Sequence, residues 1–316
     1  MQTAETTLTE LAPAKINLVL QVLGKRPDGY HDIRSVLVPI SIFDRVRMTR
    51  KPEHITFSHD PASPVPDTAL HLADPADNLI VKVAKALKQS AGVTGGVHLD
   101  LYKVTPVGAG MGGGSSDAAA TLLGLNRLWN LNLTLDRLQT IGATLGCDIP
   151  ALMERRAVCV EGLGERVTPL EGLGGRVDPR WSVVVVNPGF PVMTGDIYRR
   201  HRLTLTDNGE RYKGMVCSLR EGDVHRAAAN LCNDLQDTVF RKYPLIEMMV
   251  ECLRDAGALG AMVSGSGASV FGLARDPEDA KLLADRFRKR IAVPVWVQVA
   301  QILPDGVMVA HGPLEA

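Results

Sequence analysis

Apolar and polar positions alternate between residues 11 and 22, and this period of two predicts a β-strand. One face of the strand carries Ile16, Leu18, Leu20 and Val22. The other face carries Lys15, Asn17, Val19 and Gln21. The lysine and the asparagine should therefore project side by side. A turn at residues 26–29, which contains Pro and Gly, leads to a second strand over 35–50, predicted to be antiparallel to the first.

Farther along, apolar residues recur at helical and at strand-like spacing. The predicted helices cover residues 78–90, 115–129, 134–145, 227–238, 243–256 and 277–291. The predicted strands cover 97–104, 156–160, 181–186, 293–300 and two short segments within 261–273. Asn78 or Asp77 and Thr134 are expected as N-caps, and Gly146 as the C′ residue of the helix over 134–145. Residues 60–77 are predicted to form a loop.

The order of these elements predicts the fold class. Strands and helices are mixed without a strict strand–helix–strand rhythm, which favours an α+β fold. A chain of 316 residues exceeds one typical core, so two domains are expected. A glycine-rich stretch at 171–175 suggests a boundary within 162–180. We therefore predict one domain over residues 1–165 and a second over 166–316.

Composition narrows the range of partners. Lys plus Arg and Asp plus Glu are both 35, so the net charge is zero, which argues against a broad surface for nucleic acid or anionic membranes. Aromatic residues make up only 4% of the chain, which argues against an extended base-stacking platform. No apolar run reaches the length of ~20 residues that spans a bilayer. A small-molecule ligand is therefore expected.

The five cysteines are odd in number and contain no C-x-x-C pair. Free thiols in a reducing compartment fit this pattern better than a zinc cage or a disulfide framework. The first ten residues are polar and acidic and lack the basic start and apolar centre of a signal peptide. These features predict a cytoplasmic protein and leave its oligomeric state open.

The segment from Pro106 to Ser116 carries the clearest chemistry of the chain. A strand-like run ends there in a loop of glycines and two serines, and an alanine-rich helix follows. Glycines let backbone amides approach an anion closely, and the start of a helix adds unpaired donors and the positive end of a dipole. This segment predicts a binding site for a phosphate chain.

Other interpretations of the same segment are weaker. Gly108, Gly110 and Gly113 fit the dinucleotide fingerprint G-x-G-x-x-G, but the sequence after the helix predicts a loop and another helix rather than a strand ending in an acid. No G-K-[ST] follows the glycines, and neither H-R-D nor D-F-G occurs. A purely structural turn would use an unusually large number of glycines, each of which loses much backbone entropy on folding.

Three motifs in order along the chain resemble those of the GHMP kinase superfamily, which includes galactokinase, homoserine kinase, mevalonate kinase and phosphomevalonate kinase. They are PAKINL at 13–18, the glycine loop at 106–116 and SGSGAS at 264–269. KRPDGYH at 25–31, GGGSSD at 112–117 and CDIP at 147–150 resemble most closely the members that act on a cytidine diphosphate-linked methylerythritol. The resemblance extends from about residue 11 to 273. One departure is Met111, where the family more often has a leucine of similar size.

The resemblance implies an N-terminal domain like domain 2 of ribosomal protein S5, a ferredoxin-like C-terminal domain and a cleft between them. It implies ATP as cosubstrate together with Mg²⁺, whose ligands it does not identify. The residues implied for ATP are Lys103, near the adenine, and Pro106, Gly108, Gly110, Gly112, Gly113, Gly114, Ser115 and Ser116. Gly265 and Gly267 are implied to support the far side of the phosphoryl site.

Two residues are implied to be catalytic. Asp148 would accept the proton of the attacking hydroxyl, although from the residues alone it could equally be the N-cap of a helix that contains Pro150. Lys15, otherwise expected to be a solvated lysine, would approach Asp148 and the reacting phosphoryl oxygens. A nearby ammonium would keep that carboxylate ionised and offset the charge that builds on the phosphate.

The substrate side is implied to involve Asn17, Tyr30, His31 and Tyr198. Tyr30 would stack on the cytosine, His31 would bond its edge, Tyr198 would face the base from the other side, and Asn17 would orient the hydroxyl. The residues alone also allow blander roles: an amphipathic pair after a turn for 30 and 31, a backbone contact at a strand edge for Asn17, an exposed strand position for Lys103, and helix caps for the two serines. The pair at 233–234 resembles a family pair of unclear role, and we interpret it as structural.

The resulting expectation is a kinase that transfers the γ-phosphoryl group of ATP to the 2-hydroxyl of the methylerythritol moiety. Another small-alcohol kinase of the same superfamily, such as one acting on homoserine, remains an alternative. So does a catalytically silent nucleotide-binding regulator on the same fold. The presence of both Lys15 and Asp148 argues against the silent regulator, which can lose either residue.

Overall fold

Two β-sheets organise the molecule. The computed structural model of the chain describes residues 6–66, 75–173, 181–203 and 209–307. The strands among them are β1 (Thr7–Lys25), β2 (His31–Lys51), β3 (Ile55–His59), β4 (Gly96–Tyr102), β5 (Val158–Gly162), β6 (Arg166–Pro169), β7 (Ser182–Asn187), β8 (Cys232–Asn233), β9 (Gly260–Val263), β10 (Val270–Ala274) and β11 (Trp296–Gln301).

Helices pack against both sheets. They are α1 (Leu79–Ser90), α2 (Gly113–Leu128), α3 (Leu135–Ala143), α4 (Ile149–Met153), α5 (Thr194–Arg200), α6 (Glu210–Glu221), α7 (Val224–Ala229), α8 (Gln236–Lys242), α9 (Pro244–Asp255) and α10 (Pro277–Arg290). A single 3₁₀ turn over Pro75–Asp77 precedes α1. Among these described helices, none is long and apolar enough to cross a membrane.

The larger sheet is built around a long antiparallel hairpin. Its strands run in the order β3-β4-β2-β1-β8, with β5 added beside β2 and β6 beside β5. β1 and β2 pair from Thr7 opposite Thr49 to Lys25 opposite His31, which confirms the predicted antiparallel pair. The glycine of the connecting turn donates its amide to Arg26 O at 3.0 Å. This hairpin, with its turn, carries four of the predicted site residues: Lys15, Asn17, Tyr30 and His31.

The prediction of one alternating apolar face on β1 is wrong. Three register shifts interrupt the pairing of β1 with β2. Ile16 and Leu18 pack in a core shared with the second sheet, whereas Leu20 and Val22 belong to a different cluster. Both faces of the strand are covered, so its central residues are buried regardless of parity. Bulges of this kind re-aim side chains and cannot be read from a period of two.

The smaller sheet has the order β11-β7-β10-β9, and all of its pairs are antiparallel. If these four strands are numbered 1 to 4 along the chain, their spatial order in the sheet is 4-1-3-2. Helices lie between β7 and β9 and again between β10 and β11. The arrangement confirms the expected ferredoxin-like C-terminal part and the α+β class. One face packs on α9 and α10, and the other shares a core with the β1–β2 hairpin.

Several predicted helix boundaries are confirmed. Asn78 Oδ1 accepts a bond from Ile80 N at 3.1 Å at the start of α1, and Thr134 Oγ1 accepts one from Arg137 N at 3.4 Å at the start of α3. Gly146 is not a C′ residue, because α3 ends at Ala143 and this glycine is not left-handed. The helix expected over 227–238 is also wrong: α7 and α8 are separated there by β8, which pairs with β1.

Two helices, α5 and α6, were not predicted from the sequence. Of the predicted loop over 60–77, residues 67–74 lie outside the described residues, and 75–77 form the 3₁₀ turn. Of the predicted boundary region, 174–180 lies outside them, and β6 falls within the remainder. The division at residue 165 therefore stays a prediction.

Candidate active site

A cleft of about 500 Å³ brings together residues from both halves of the chain. Predicted site residues that line it are Lys15, Asn17, Lys103, Pro106, Gly108, Gly110, Gly112, Gly113, Gly114, Ser115, Asp148, Tyr198 and Gly265. Four predicted residues do not line it: Tyr30, His31, Ser116 and Gly267. Clefts of this size, with a few convergent polar groups, are the usual form of a small-molecule site.

In the glycine loop, the backbone carbonyls are hydrogen-bonded within the described part of the protein, whereas the backbone amides are not. Every carbonyl from 108 to 112 accepts a hydrogen bond. The donors are Val192 N, Ser269 N, Lys15 Nζ with Ser264 Oγ, Lys15 N and Ser116 N, at 2.8–3.0 Å. No backbone amide from Gly108 to Ser115 donates to another described residue. The loop is therefore left with a surplus of unpaired donors, which is the requirement of an anion site.

Left-handed glycines produce this arrangement. Gly108, Gly110 and Gly112 have φ of +62°, +74° and +66°. At Gly110 an added Cβ would collide with the carbonyl oxygen of Ser264 and would lie 2.8 Å from that of Gly267. Only glycine fits both the dihedral angle and the space. The loop therefore packs directly on the backbone of the 264–269 segment.

The two serines at the start of α2 differ in their surroundings. Ser116 is buried, and its hydroxyl donates to Pro13 O at 2.7 Å, so both its hydroxyl and its amide are bonded inside the protein. Ser115 lines the cleft. Neither caps α2, whose N-cap position is Gly112 and which has no side-chain cap bond. Of the two hydroxyls, that of Ser115 is the one available to a ligand.

Lys15 is buried beneath the loop rather than solvated. Its Nζ donates to Asn17 Oδ1 at 2.6 Å and to Gly110 O at 3.0 Å. Burial lowers the pKa of Lys15, and the nearby carboxylate of Asp148 partly opposes that shift. The alternative of a surface lysine is therefore wrong.

Asn17 is held by a relay of two consecutive hydrogen bonds through Ser35, which the sequence did not predict. Its Nδ2 donates to Ser35 Oγ at 2.8 Å, and Ser35 in turn donates to Val19 O at 2.6 Å. This relay turns the amide oxygen of Asn17 toward Lys15. The alternative of a direct backbone contact for Asn17 is wrong. Nothing in the sequence marked Ser35, because its position beside Asn17 depends on the bulged register of the hairpin.

Asp148 occupies the N-cap position of α4 without acting as a cap. Its side chain makes no capping hydrogen bond, and Pro150 lies in the first turn. The side chain is exposed and lines the cleft. Lys15 lines the same cleft, and the charge of Asp148 raises the pKa of Lys15 against the larger effect of burial. Because it does not cap α4, the carboxylate of Asp148 is available to a ligand.

Lys103 is the centre of a buried charge cluster. Its Nζ lies 2.6 Å from Asp44 Oδ2 and 2.6 Å from Asp117 Oδ2, and all three side chains are buried. Burial disfavours its charge, but the two carboxylates outweigh that effect and raise the pKa of Lys103. Burial raises the pKa of Asp117 to about 8, against the opposing effect of Lys103. The alternative of an exposed strand position for Lys103 is therefore wrong.

This cluster supports the glycine loop. A Cβ added at Gly113 would lie 2.9 Å from Lys103 Nζ, so the ammonium lies directly beneath the start of α2. Asp44 Oδ1 accepts from Val104 N at 2.6 Å and from Thr105 N at 2.8 Å, which fixes the chain that leads into the loop. Asp44 was not singled out in the sequence, because it lies on β2, 59 residues before its partner.

Two aromatic rings meet beside the cleft, which Tyr198 lines and His31 does not. His31 and Tyr198 have ring centroids 5.4 Å apart, with planes inclined by 37°. Burial lowers the pKa of His31, and the charge of Lys25 lowers it further. Burial raises the pKa of Tyr198, and the charge of Asp148 raises it further. Tyr30 is 63% exposed and contributes nothing to the cleft wall. The structure thus joins two of the three predicted aromatic residues.

The described residues contain no cluster of three or more His, Cys, Asp or Glu side chains suited to a metal ion. Mg²⁺ commonly keeps several waters and takes one or two carboxylates together with substrate phosphates. Asp148 and Ser115 provide oxygen ligands at the cleft wall. This donor set fits a magnesium ion that is held largely by a bound nucleotide.

Comparison with known proteins agrees with this geometry. Residues 78–154 match the model of the GHMP kinases N terminal domain, and 215–293 match that of the GHMP kinases C terminal domain. A protein of Symbiobacterium thermophilum named 4-diphosphocytidyl-2-C-methyl-D-erythritol kinase is 40% identical over 286 residues, which are 90% of this chain and 96% of that protein. A protein of the same name from Geobacter metallireducens is 39% identical, over 87% of this chain and 92% of its own.

Solved structures agree as well. A crystal structure of 4-(cytidine 5'-diphospho)-2C-methyl-D-erythritol kinase has a TM-score of 0.74 and 31% identity, covering 93% of this chain and 99% of its own. A homoserine kinase from Cytophaga hutchinsonii has a TM-score of 0.73 at 18% identity, covering 96% of this chain and 98% of its own, which shows a shared fold. By sequence, fold and site geometry together, this chain belongs to the GHMP kinase family, among the relatives named 4-diphosphocytidyl-2-C-methyl-D-erythritol kinase.

Proposed function

We propose that this protein is an ATP-dependent kinase that phosphorylates the 2-hydroxyl of 4-diphosphocytidyl-2-C-methyl-D-erythritol, in the non-mevalonate route to isoprenoid precursors. The observation that carries the proposal is the backbone polarity of the glycine loop. Its carbonyls at 108–112 are all bonded, and its amides from Gly108 to Ser115 are not, in a cleft that also contains Lys15 and Asp148.

The amides of the loop hold the triphosphate of ATP. Unpaired donors at the N-terminus of α2 and the dipole of that sixteen-residue helix both favour negative charge there. Lys103 with its two carboxylates fixes the loop from below. Ser115 and Asp148 would hold Mg²⁺ together with the nucleotide phosphates, and the ion would supply charge neutralisation at the transferring group.

Asp148 accepts the proton of the attacking hydroxyl. Its carboxylate faces the cleft and is not used by α4 as a cap. Lys15 offsets negative charge on the phosphoryl oxygens, and Asn17 fixes the lysine from the side. General-base catalysis of this kind contributes about 10²–10⁴-fold in rate.

The cytidine end of the substrate lies near His31 and Tyr198. Their rings are tilted against each other beside the cleft, and an aromatic stack on one base is worth about 1–3 kcal/mol. Tyr30, which is solvent-exposed, would close on the base from outside. The aromatic pair favours a substrate that carries a nucleobase over a small alcohol such as homoserine.

The test is ADP release from Mg-ATP with three acceptors in parallel: 4-diphosphocytidyl-2-C-methyl-D-erythritol, homoserine and mevalonate. The proposal predicts turnover with the first and little or none with the others. Turnover that is indifferent to the nucleobase would favour another small-alcohol kinase. ATP binding without turnover on any alcohol would instead indicate a silent regulator.

A further inference from the structure

The start of the 264–269 segment shares one feature with the glycine loop, namely bonded carbonyls beside amides that have no partner among the described residues. The carbonyls of Val263, Ser264 and Gly265 all accept hydrogen bonds, from Asn233 Nδ2, Gly267 N and again Asn233 Nδ2. Within the described residues, the amides of Gly265 and Ser266 donate to no partner. Gly265 and Ser266 both line the cleft. A second set of unpaired donors therefore lines the same cleft.

Asn233 is the side chain that produces this polarity. Its Nδ2 donates to Val263 O at 2.9 Å and to Gly265 O at 2.8 Å, so both amide hydrogens are used. Its Oδ1 accepts from Leu235 N at 3.0 Å, which fixes which end of the amide faces the loop. The side chain is buried. A carboxylate at this position would oppose the two carbonyl oxygens.

Asn233 is itself fixed to the strand that carries the proposed catalytic lysine. β8 pairs in parallel with β1, with Asn233 opposite Leu20. The next residue, Asp234, donates its amide to Leu20 O at 2.9 Å and accepts from Val22 N through Oδ2 at 2.8 Å. The pair at 233–234 thus joins β1 to the 264–269 segment through one short strand.

The position of the 264–269 segment affects the side chains of Lys15 and Asn17 on β1. A Cβ added at Gly265 would lie 3.4 Å from Lys15 Nζ and 3.4 Å from Asn17 Oδ1. A displacement of this segment by an ångström would therefore disturb the lysine, its asparagine partner and the two free amides together. Misplacement on that scale is enough to reduce a reaction rate by orders of magnitude.

We propose that Asn233 is a positioning residue for phosphoryl transfer. It draws the carbonyls of Val263 and Gly265 back toward β8 and leaves the amides of Gly265 and Ser266 to face the transferring phosphoryl group beside Lys15. The inference rests on the proposed kinase activity and adds to it an element that acts through the loop without contacting substrate.

The experiment compares Asn233→Ala and Asn233→Asp with a matched control, Asn126→Ala. Asn126 also holds a loop, because its Nδ2 donates to Leu133 O at 3.0 Å and its Oδ1 accepts from Leu133 N at 3.0 Å, but it lies on α2 and does not line the cleft. Each variant is assayed below its own Tm for kcat, for KM of both substrates and for the Kd of a non-hydrolysable ATP analogue.

We expect kcat to fall about 10–100-fold in both Asn233 variants, because donors aimed at developing charge are lost or misplaced, while the analogue Kd changes less than about threefold. Asn126→Ala should lower Tm with kcat unchanged. Asn233→Ser, which keeps one donor, should recover part of kcat and serves as the test variant if the other two do not fold.

A kcat in folded Asn233 variants within about twofold of that of Asn126→Ala would overturn the inference and leave the kinase proposal intact. An equal loss in kcat and in analogue affinity would also overturn it, because that pattern indicates general damage to the nucleotide site. Absence of turnover in the unmodified protein with all three acceptors would refute the kinase proposal and this inference with it.

Discussion

At the scale of the residue, the environment of each polar group decides its chemistry more than its identity does. Lys15 and Lys103 are both buried lysines near the glycine loop, but their pKa values shift in opposite directions. Burial dominates at Lys15, where the carboxylate of Asp148 only partly opposes it. At Lys103 two carboxylates at 2.6 Å outweigh burial. This difference in environment fits the reactive role proposed for Lys15 and a supporting role for Lys103.

The first prediction concerns the proposed base. Asp148→Asn keeps the shape of the side chain but removes the proton acceptor, so kcat should fall by about 10²–10⁴-fold while the Kd of an ATP analogue stays within a few-fold. α4 should be unaffected, because the carboxylate does not cap it. Turnover that is undiminished in this variant would remove Asp148 as base.

The second prediction is an alkaline limit on activity set by Lys15. Its pKa is lowered from 10.5, so the ammonium is lost at a lower pH than that of a free lysine. Because the charged form is needed, kcat should be maximal below that pKa and fall as pH rises through it. Full recovery of activity on return to about pH 8 excludes denaturation as the cause. A kcat that stays flat up to pH 10.5 would contradict the role of this ammonium.

The third prediction concerns the cytidine end. Tyr198→Ala and Tyr30→Ala should each raise KM for the cytidine substrate more than KM for ATP, by about 5-fold or more for Tyr198, consistent with the loss of one aromatic stack. Tyr212, which packs beneath Arg34 and does not line the cleft, offers Tyr212→Ala as the control. Equal changes in both KM values would defeat the pocket assignment.

At the scale of the element, the sequence predicts well what is local. The β1–β2 hairpin, the caps at Asn78 and Thr134 and the strand–loop–helix at the glycines all depend on contacts between near neighbours, and all are present. Long-range packing decides the rest. β8 interrupts the apolar pattern over 227–238 because residues 232–233 pair with β1, and no signal within that segment marks the interruption.

The candidate site shows the same difference between local features, which the sequence predicts, and long-range contacts, which it does not. The resemblance to a family identified residues that line the cleft, but it did not reveal their partners Ser35, Asp44 and Asn233 in these roles. Each of these residues bonds to partners far away in the chain. The separation is 16–18 residues for Ser35, 59–61 for Asp44 and 30–32 for Asn233. Their functions follow from register and tertiary packing, which a single sequence does not contain.

The fourth prediction belongs to the glycine loop as an element. Gly110→Ala should lower the free energy of unfolding by several kcal/mol, because the left-handed dihedral and the collision with Ser264 O both oppose a Cβ. Gly114→Ala is the matched control: it has a helical position and no atom within 4 Å of an added Cβ. Its stability should stay equal or rise by up to about 1 kcal/mol in denaturant titrations. Equal stabilities of the two variants would contradict the packing described for the loop.

At the scale of the whole molecule, the two sheets share one apolar core. Ile16 and Val36 of the larger sheet pack in the same cluster as Val183 and Phe271 of the smaller one. The cleft is therefore built across a continuous core rather than across a flexible linker. Separating the halves would expose this apolar surface to water, at a cost of about 25 cal/mol per Å².

The fifth prediction follows from this shared core. Trp129 reports on the larger sheet and Trp181 on the smaller one, and both are buried. In variants that keep one of these tryptophans, with the remaining tryptophans replaced by Phe, the two fluorescence transitions in urea should coincide because the halves unfold together. Two transitions with separate midpoints would contradict a single cooperative core.

The central claim is that the unpaired amides from Gly108 to Ser115 hold a triphosphate with its terminal phosphate facing Asp148. A crystal structure with a non-hydrolysable ATP analogue and the cytidine substrate tests it most directly. The account predicts phosphate oxygens within about 3 Å of several of these amides, and the carboxylate of Asp148 between the γ-phosphate and the acceptor hydroxyl. A triphosphate bound elsewhere, or a carboxylate turned away from it, would contradict the account.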